Sequence, residues 1–370
     1  MSQDSSPIAA RLASEIAAHR LEYDSSQEQA AAKLDELRAK LLARSRSLSG
    51  RLRARLSWLS SRPAPPVSGL YLWGGVGRGK TLLMDLFYES LGPRHALRMH
   101  FYRFMQQVHL RLRGIKDRTD PLELVAQRLA AGTRVICLDE FFVSDIADAM
   151  ILAGLFAGLF RRGVTLVATS NIPPQDLYKD GLQRQRFLPA IDLLEAHMHV
   201  LHLDGGVDYR LRQLEQAPTY LDSKLPGTPA QLAQRFAALA GGSAAGPSIL
   251  TVEDRPIAAR ATGAGMAWFD FKDICEGPRS QIDYIELARL YHTVFISNIP
   301  EFQRDDDNAA RRFIMLIDEF YDRNVNVVVS AAAAPAELYH GNALRTEFAR
   351  ASSRLIEMQT QQYLARQHRP

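Results

Sequence analysis

Gly69-Leu70-Tyr71-Leu72-Trp73-Gly74-Gly75-Val76-Gly77-Arg78-Gly79-Lys80-Thr81 opens as a short apolar strand and closes as a glycine-rich loop ending in Lys-Thr. Leu82-Leu83-Met84-Asp85-Leu86-Phe87 follows with helical character. Strand, loop and helix in that order are the context that the G-x-x-x-x-G-K-[ST] pattern requires. Glycines let the backbone curl until several N–H groups face one phosphate. The N-terminus of the next helix adds partial positive charge at the same point. Gly74, Gly75, Val76, Gly77, Arg78, Gly79, Lys80 and Thr81 are therefore expected to cradle ATP. Lys80 would reach the β- and γ-phosphates, and the Thr81 hydroxyl would hold Mg2+.

Such a loop serves kinases, GTPases and ATPases alike, and a second element narrows the choice. Arg134-Val135-Ile136-Cys137-Leu138-Asp139-Glu140 reads as a buried strand ending in two acids, with Asp139 lying 58 residues past Thr81. That interval accommodates a helix, a strand and a helix. Asp139 is expected to hold Mg2+, and Glu140 to polarise the attacking water. An acid beside the metal-binding aspartate favours hydrolysis over transfer to another substrate. A guanine-reading Asn-Lys-x-Asp is absent, which argues against a GTPase. Leu48-Ser49-Gly50 hints at a transporter signature, but it precedes the loop.

Val164-Thr165-Leu166-Val167-Ala168-Thr169-Ser170-Asn171 is a third element, its Asn171 standing 32 positions after Asp139. In AAA+ proteins a polar residue at the end of this strand orients the water, a role that the Asn171 amide suits. The fourth is Gly181-Leu182-Gln183-Arg184-Gln185-Arg186-Phe187-Leu188-Pro189. In ring ATPases of that class an arginine before the last core strand reaches the neighbouring subunit's site and stabilises charge on the γ-phosphate. Arg186, followed by Phe187, is the first choice and Arg184 the reserve. This role implies an ATP-dependent homo-oligomer.

The rest of the chain supplies the setting. Its 370 residues are 46% hydrophobic and carry a net charge of +4, which gives no reason to expect nucleic acid as a partner. Cys137 and Cys275 are the only cysteines, too few for a disulfide framework, and reduced thiols are expected. No Cys and His spacing suggests zinc. The longest apolar run, Ala149 to Phe160, is far short of the roughly 20 residues a membrane span needs and reads as a buried helix. The N-terminus is polar and carries acids, unlike a secretory signal. A cytoplasmic protein with at most peripheral membrane contact is expected.

Three regions are expected: N-terminal helices over 1–66, an ATPase core over 67–215, and a lid or connector with a second α/β region over 216–370. In the first, nine basic residues between Lys33 and Arg62 face only Asp35 and Glu36, as a solvated helix face or a surface for an acidic partner. In the second, apolar runs at Gly69–Trp73, Ala96–Phe104, Val135–Leu138, Val164–Ala168 and Met198–Leu203 alternate with helical stretches. That alternation implies a parallel sheet covered on both faces. The fold class is thus α/β, a P-loop NTPase of AAA+ type with a second C-terminal α/β region. In the third, strands are expected at Ser248–Val252, Ala267–Phe271, Thr293–Ile296 and Asn326–Val329, with a final helix from Ala343 to Gln367. Ile317-Asp318-Glu319-Phe320 imitates the second motif, but its apolar neighbours recur at helical spacing. Ser170-Asn171-Ile172-Pro173 recurs as Ser297-Asn298-Ile299-Pro300, and reads as an echo, not a duplication.

These strings together resemble one family, the ZapE cell-division ATPases of bacteria and their mitochondrial relatives. The resemblance rests on Gly69–Gly74 with its loop, His100-Phe101-Tyr102-Arg103-Phe104-Met105, Cys137-Leu138-Asp139-Glu140-Phe141 and Thr169-Ser170-Asn171. It continues through Leu177-Tyr178-Lys179-Asp180-Gly181-Leu182-Gln183-Arg184, His292-Thr293-Val294-Phe295-Ile296-Ser297, Arg311-Arg312-Phe313-Ile314 and Ser353-Arg354-Leu355-Ile356-Glu357-Met358. The chain departs from the family at Tyr102, where a second His is usual, and at Gly75, where Pro is frequent. The resemblance implies an ATPase at the division septum that loosens a tubulin-like division-ring polymer. Its mitochondrial relatives imply quality control of membrane-associated proteins, and an ATP-dependent adaptor or a nucleotide-gated scaffold are the other roles. Arg311, Arg312 and Arg354 are candidates for a second arginine reaching the γ-phosphate from the lid, with Arg312 the first choice.

Overall fold

The computed structural model describes residues 8–18, 23–46, 66–75, 77–92, 96–115, 119–204, 211, 214, 217–240, 244–253, 255–263 and 265–369. Leu48–Gly50, Arg51 to Arg62 and Val76 lie outside them. The chain divides into two compact units, Met1–Gly206 and Val207–Pro370.

In the first unit, α1 (Ile8–Ala17) and α2 (Ser25–Arg46) precede β1 (Gly69–Trp73), α3 (Lys80–Leu91), β2 (Ala96–His100) and α4 (Phe101–Arg113). Then come α5 (Pro121–Gly132), β3 (Val135–Asp139), α6 (Ile146–Arg161), β4 (Thr165–Ser170), α7 (Leu188–His197) and β5 (Met198–His202). The strands form one parallel sheet in the order β2-β3-β4-β1-β5. Every residue of β3 and β4 is buried, as strands covered on both faces must be. The apolar run at Ala149–Phe160 lies in α6, begun by Asp145, whose carboxylate accepts from Ala147 N at 2.6 Å. The run expected as strand through Phe104 turns helical at Phe101 instead. Phe101, Phe104, Met105 and Val108 recur at helical spacing and are buried, and that periodicity prevails.

Side-chain alternation along β1 divides the core. Tyr71 joins Phe104, Phe141, Leu152 and Phe156 on one face. Leu70 and Leu72 join Leu83, Phe87 and Val167 on the other. The second face is closed by Ile8 and Leu12 of α1 and by Leu34 and Leu37 of α2. The N-terminal helices thus pack into the first unit, each buried leucine adding roughly 1.5–3 kcal/mol. Asp35 of α2 caps α1, accepting from Ile8 N at 2.7 Å and Ala9 N at 2.9 Å. On its outer face Lys33 pairs with Glu36 at 3.1 Å, as a solvated helix does.

The second unit contains β6 (Tyr220–Asp222), α8 (Thr228–Ala240), β7 (Ser248–Val252), β8 (Arg255–Ala259), β9 (Ala261–Gly263) and β10 (Met266–Asp270). A π-helical turn at Lys272–Glu276 leads to α9 (Gln281–Leu290), β11 (Thr293–Ile299), α10 (Asp307–Asp322), β12 (Asn326–Ala331), α11 (Arg345–Glu357) and α12 (Gln361–Leu364). Its sheet runs β6-β12-β11-β10-β9, parallel except for β9, with β7 and β8 as a separate hairpin. The helix expected from Ala343 to Gln367 is two helices. The Thr360 hydroxyl starts the second by accepting from Tyr363 N at 3.3 Å. Asp318 and Glu319 lie on α10, paired with Arg354 at 2.6 Å and with Arg323, so the imitation of the second motif is a helix surface.

Candidate active site

The glycine-rich loop leaves β1 between two carboxyl ends of neighbouring strands. Gly74 N donates to Ser170 O of β4 at 3.2 Å, and Leu203 N at the end of β5 donates to Trp73 O at 2.7 Å. Gly74 has φ 153°, and a Cβ there would stand 2.3 Å from Leu203 O, so only glycine fits. Gly77 and Gly79 have φ 76° and 78°, which bends the chain into the start of α3. Lys80 Nζ donates to Gly74 O and to Gly75 O, both at 2.6 Å, so its ammonium lies over the loop it is expected to serve.

The two acids sit at the end of β3, with β4 between them and the loop strand. Asp139 ends β3, 8% exposed. Glu140 follows with φ 54°, a left-handed turn that a glutamate adopts at a cost of about 1–3 kcal/mol. Its N–H donates to Thr169 Oγ1 at 3.2 Å, and this bond from β4 holds the turn. Phe141 N donates to Thr169 O at 2.7 Å. Asn171 follows the end of β4, directly after the Ser170 carbonyl that receives Gly74 N. Loop, acids and Asn171 are therefore gathered at one edge of the sheet by strand order alone. Open parallel sheets place their ligands at this edge.

Arg186 and Arg184 share a single 3-10 turn, Arg184–Arg186. Arg184 Nη2 is spent on Gln175 O at 2.6 Å. Arg186 is exposed, and its side chain has no hydrogen-bond or ion-pair partner among the described residues. In the second unit, Arg312 donates to Cys275 O, while Arg354 pairs with Asp318 and Asp322 and lies 4.6 Å from the Tyr321 ring.

Three residues here went unread in the sequence. Arg98 of β2 donates from Nε to Asp139 Oδ2 at 2.7 Å and from Nη2 to Oδ1 at 3.4 Å, while Nη1 binds Asp85 of α3. Burial works against the Arg98 charge, but Asp139 and Asp85 outweigh it and hold the guanidinium above its usual range. Burial in turn raises the Asp85 carboxyl, with Arg98 opposing. The other residue is Gln27 of α2, 3% exposed, whose Nε2 donates to Arg78 O at 3.3 Å and stands 2.8 Å from where a Gly79 Cβ would be. Their one sequence signal was that β2 places a charge inside an otherwise apolar run. Gln27 gave none.

The residues fit Mg2+ and a nucleotide. Thr81 and Asp139 form an all-oxygen donor set of the kind Mg2+ takes. Arg78 Nη1 and His100 Nδ1 are buried with no hydrogen-bond partner among the described residues, and the β2–β3 register sets His100 beside Asp139. Polar atoms left so are ready for a polar ligand. Both cysteines are free and buried, Cys137 with its thiol pushed up by burial, and so inert. Among the described residues no cluster of His, Cys, Asp or Glu suits a further metal, and no helix is long and apolar enough to cross a membrane.

A sequence profile of the AFG1-like ATPases matches residues 7–367. The chain belongs to the AFG1-like ATPase family. It is 52% identical over 303 residues to the "Cell division protein ZapE" of Escherichia coli (strain K12), covering 82% of this chain and 81% of that one. It is 41% identical over 313 residues to "Lactation elevated protein 1 homolog B" of Danio rerio, covering 81% and 62%. Among solved structures, DnaI covers 43% of this chain and 81% of its own at 16% identity and a TM-score of 0.30. DnaA bound to AMPPCP and single-stranded DNA covers 46% and 49% at 15% identity and 0.31. Likeness this distant leaves the site to be argued from the chain itself. This AFG1-like chain is an ATPase with a parallel P-loop sheet, and the family assignment spans both of its units.

Proposed function

We propose that the chain hydrolyses Mg-ATP at the sheet edge built by Gly74–Thr81, Asp139, Glu140 and Asn171, and uses the cycle to loosen a tubulin-like division polymer. One observation carries the chemical half: a phosphate loop, a strand-end acid pair and a polar strand end meet on three adjacent parallel strands. The 52% identity to a bacterial cell-division protein supports the biological half.

In this reading the loop N–H groups and the Lys80 ammonium hold the β- and γ-phosphates, and Thr81 and Asp139 hold Mg2+. The bound ion would neutralise charge on the phosphates. Glu140, one residue past Asp139, accepts the proton of the attacking water, and the Asn171 amide orients that water. Arg186, its exposed side chain without a partner among the described residues, is offered to the site of a second copy. An ATP-dependent homo-oligomer at the septum follows from that role.

The test is sedimentation of preformed division-ring polymer with the protein and ATP. The expected outcome is less pelleted polymer with ATP, and no change with Glu140→Gln. Unchanged polymer mass with the active protein would refute the remodelling role. Loss of polymer with Glu140→Gln as well would favour a nucleotide-gated scaffold.

A further inference from the structure

We infer that the second unit is a diverged copy of the first, repeating residues 71–197 as 220–358, and that its phosphate position binds no nucleotide. Four of the five strands in each sheet match in order: β10, β11, β12 and β6 stand in the second unit where β2, β3, β4 and β1 stand in the first, while β5 and β9 have no counterpart. The linking helices match as well, with α8 in the place of α3, α10 of α6 and α11 of α7.

Individual hydrogen bonds recur at matching places. Tyr71 OH donates to Ile172 O at 3.1 Å, and Tyr220 OH to Ala333 O at 2.6 Å. Gly74 N donates to Ser170 O at 3.2 Å, and Ser223 N to Ala331 O at 2.9 Å. Glu140, with φ 54°, donates from its N–H to Thr169 Oγ1 at 3.2 Å; Asn298, with φ 62°, donates to Ser330 Oγ at 3.0 Å. Arg98 Nε reaches Asp139 at 2.7 Å, and Trp268 Nε1 reaches Ser297 Oγ at 2.6 Å, each two residues past its own register partner on the next strand. The rings of Tyr178 and Phe187 lie 5.7 Å apart, and those of Tyr339 and Phe348 5.1 Å. From Val164 onward the two copies keep a constant spacing of 161 residues, with Gly163 and Asn324 both left-handed. Two folds drawn together by packing alone would share the layers. They would not share a left-handed residue bonded to the same hydroxyl position.

What is kept is architecture, and what is lost is chemistry. With Tyr71 set on Tyr220, the Lys80 and Thr81 positions hold Pro229 and Ala230. Asp139 and Glu140 correspond to Ser297 and Asn298, Asn171 to Ala332, and Arg186 to Glu347. The loop is also closed to an anion. Lys224 N donates to Asp222 Oδ1 at 2.8 Å, Leu225 N to Asp222 O at 3.4 Å, and Thr228 N to Leu225 O at 3.1 Å. Pro226 and Pro229 have no N–H to offer. Three amides at the phosphate position are thus spent within the loop, one of them on the carboxylate of Asp222, which stands where the first unit has Trp73.

The echo of Ser170–Pro173 in Ser297–Pro300 hides this relation. It pairs β4 with β11, whereas the matching strand is β12, at whose end Ala331-Ala332-Ala333-Ala334 has lost the letters. The tetrapeptide is indeed an echo; the duplication lies elsewhere.

Calorimetric titration of the full chain with AMPPNP and Mg2+ tests the inference, which builds on the nucleotide site proposed above. One nucleotide per chain is expected, falling to none for Lys80→Ala. Asp222→Ala, outside the first site, should leave the count at one while lowering the melting temperature of the second unit. A count of two, or saturable binding left in Lys80→Ala, would overturn the inference. A count of zero in the unaltered chain would instead overturn the proposed nucleotide site and leave the second unit's closure standing.

Discussion

Lys80→Ala should lower kcat/KM for ATP by at least about 10²-fold, with a fall of about 10³-fold expected where one preorganised donor to developing charge is removed. The same ammonium bonds to Gly74 O and Gly75 O at 2.6 Å, so its loss also loosens the loop before any nucleotide arrives. Affinity for nucleotide should therefore drop together with turnover. Phosphate release measured across ATP concentration separates the two. An unchanged KM with a lowered kcat would mean that Lys80 acts only during the chemistry. Unchanged values of both would remove it from the site.

Arg98→Ala should be the most damaging change that touches no nucleotide. The Arg98 side chain is 17% exposed, and it serves the side chains of Asp85 and Asp139, which are 22% and 11% exposed. Removing the partner of a buried charge costs about 3–5 kcal/mol, because the carboxylates are left uncompensated in low dielectric. For a unit of this size that corresponds to a melting temperature lower by roughly 6–20 °C. Scanning calorimetry without nucleotide reads it directly. Adding Mg2+ should recover part of the loss, since a divalent cation at Asp139 replaces the missing charge, and Asp85→Ala in the same chain should recover more. A shift under about 2 °C would show that the guanidinium does not hold the two acids.

Legibility of the sequence followed the range of the physics behind each feature. The loop, the acid pair and Asn171 were readable because each is a short string on a strand end, and parallel strands bring their ends to one edge by themselves. Arg98 was hidden because its partners Asp85 and Asp139 lie 13 and 41 residues away, and only sheet register joins them. Gln27 was hidden for the same reason, touching Arg78 across 51 residues. The strand ending at His100 was read too long, since Phe101 and Phe104 are apolar enough for either period. In the second unit β6, β8 and β9 were missed, being short or half-exposed with Pro256 and Gly263 inside them. Its likeness to the first unit was missed because divergence erased the letters while hydrogen bonds kept the geometry.

Comparing Glu140→Gln with the unaltered chain in a single turnover tests the central claim most directly. ATP is bound first, and phosphate release is then followed after adding Mg2+. The account predicts equal nucleotide binding and release slower by about 10²–10⁴-fold, the usual contribution of a positioned base. Release at the same rate in both would contradict it.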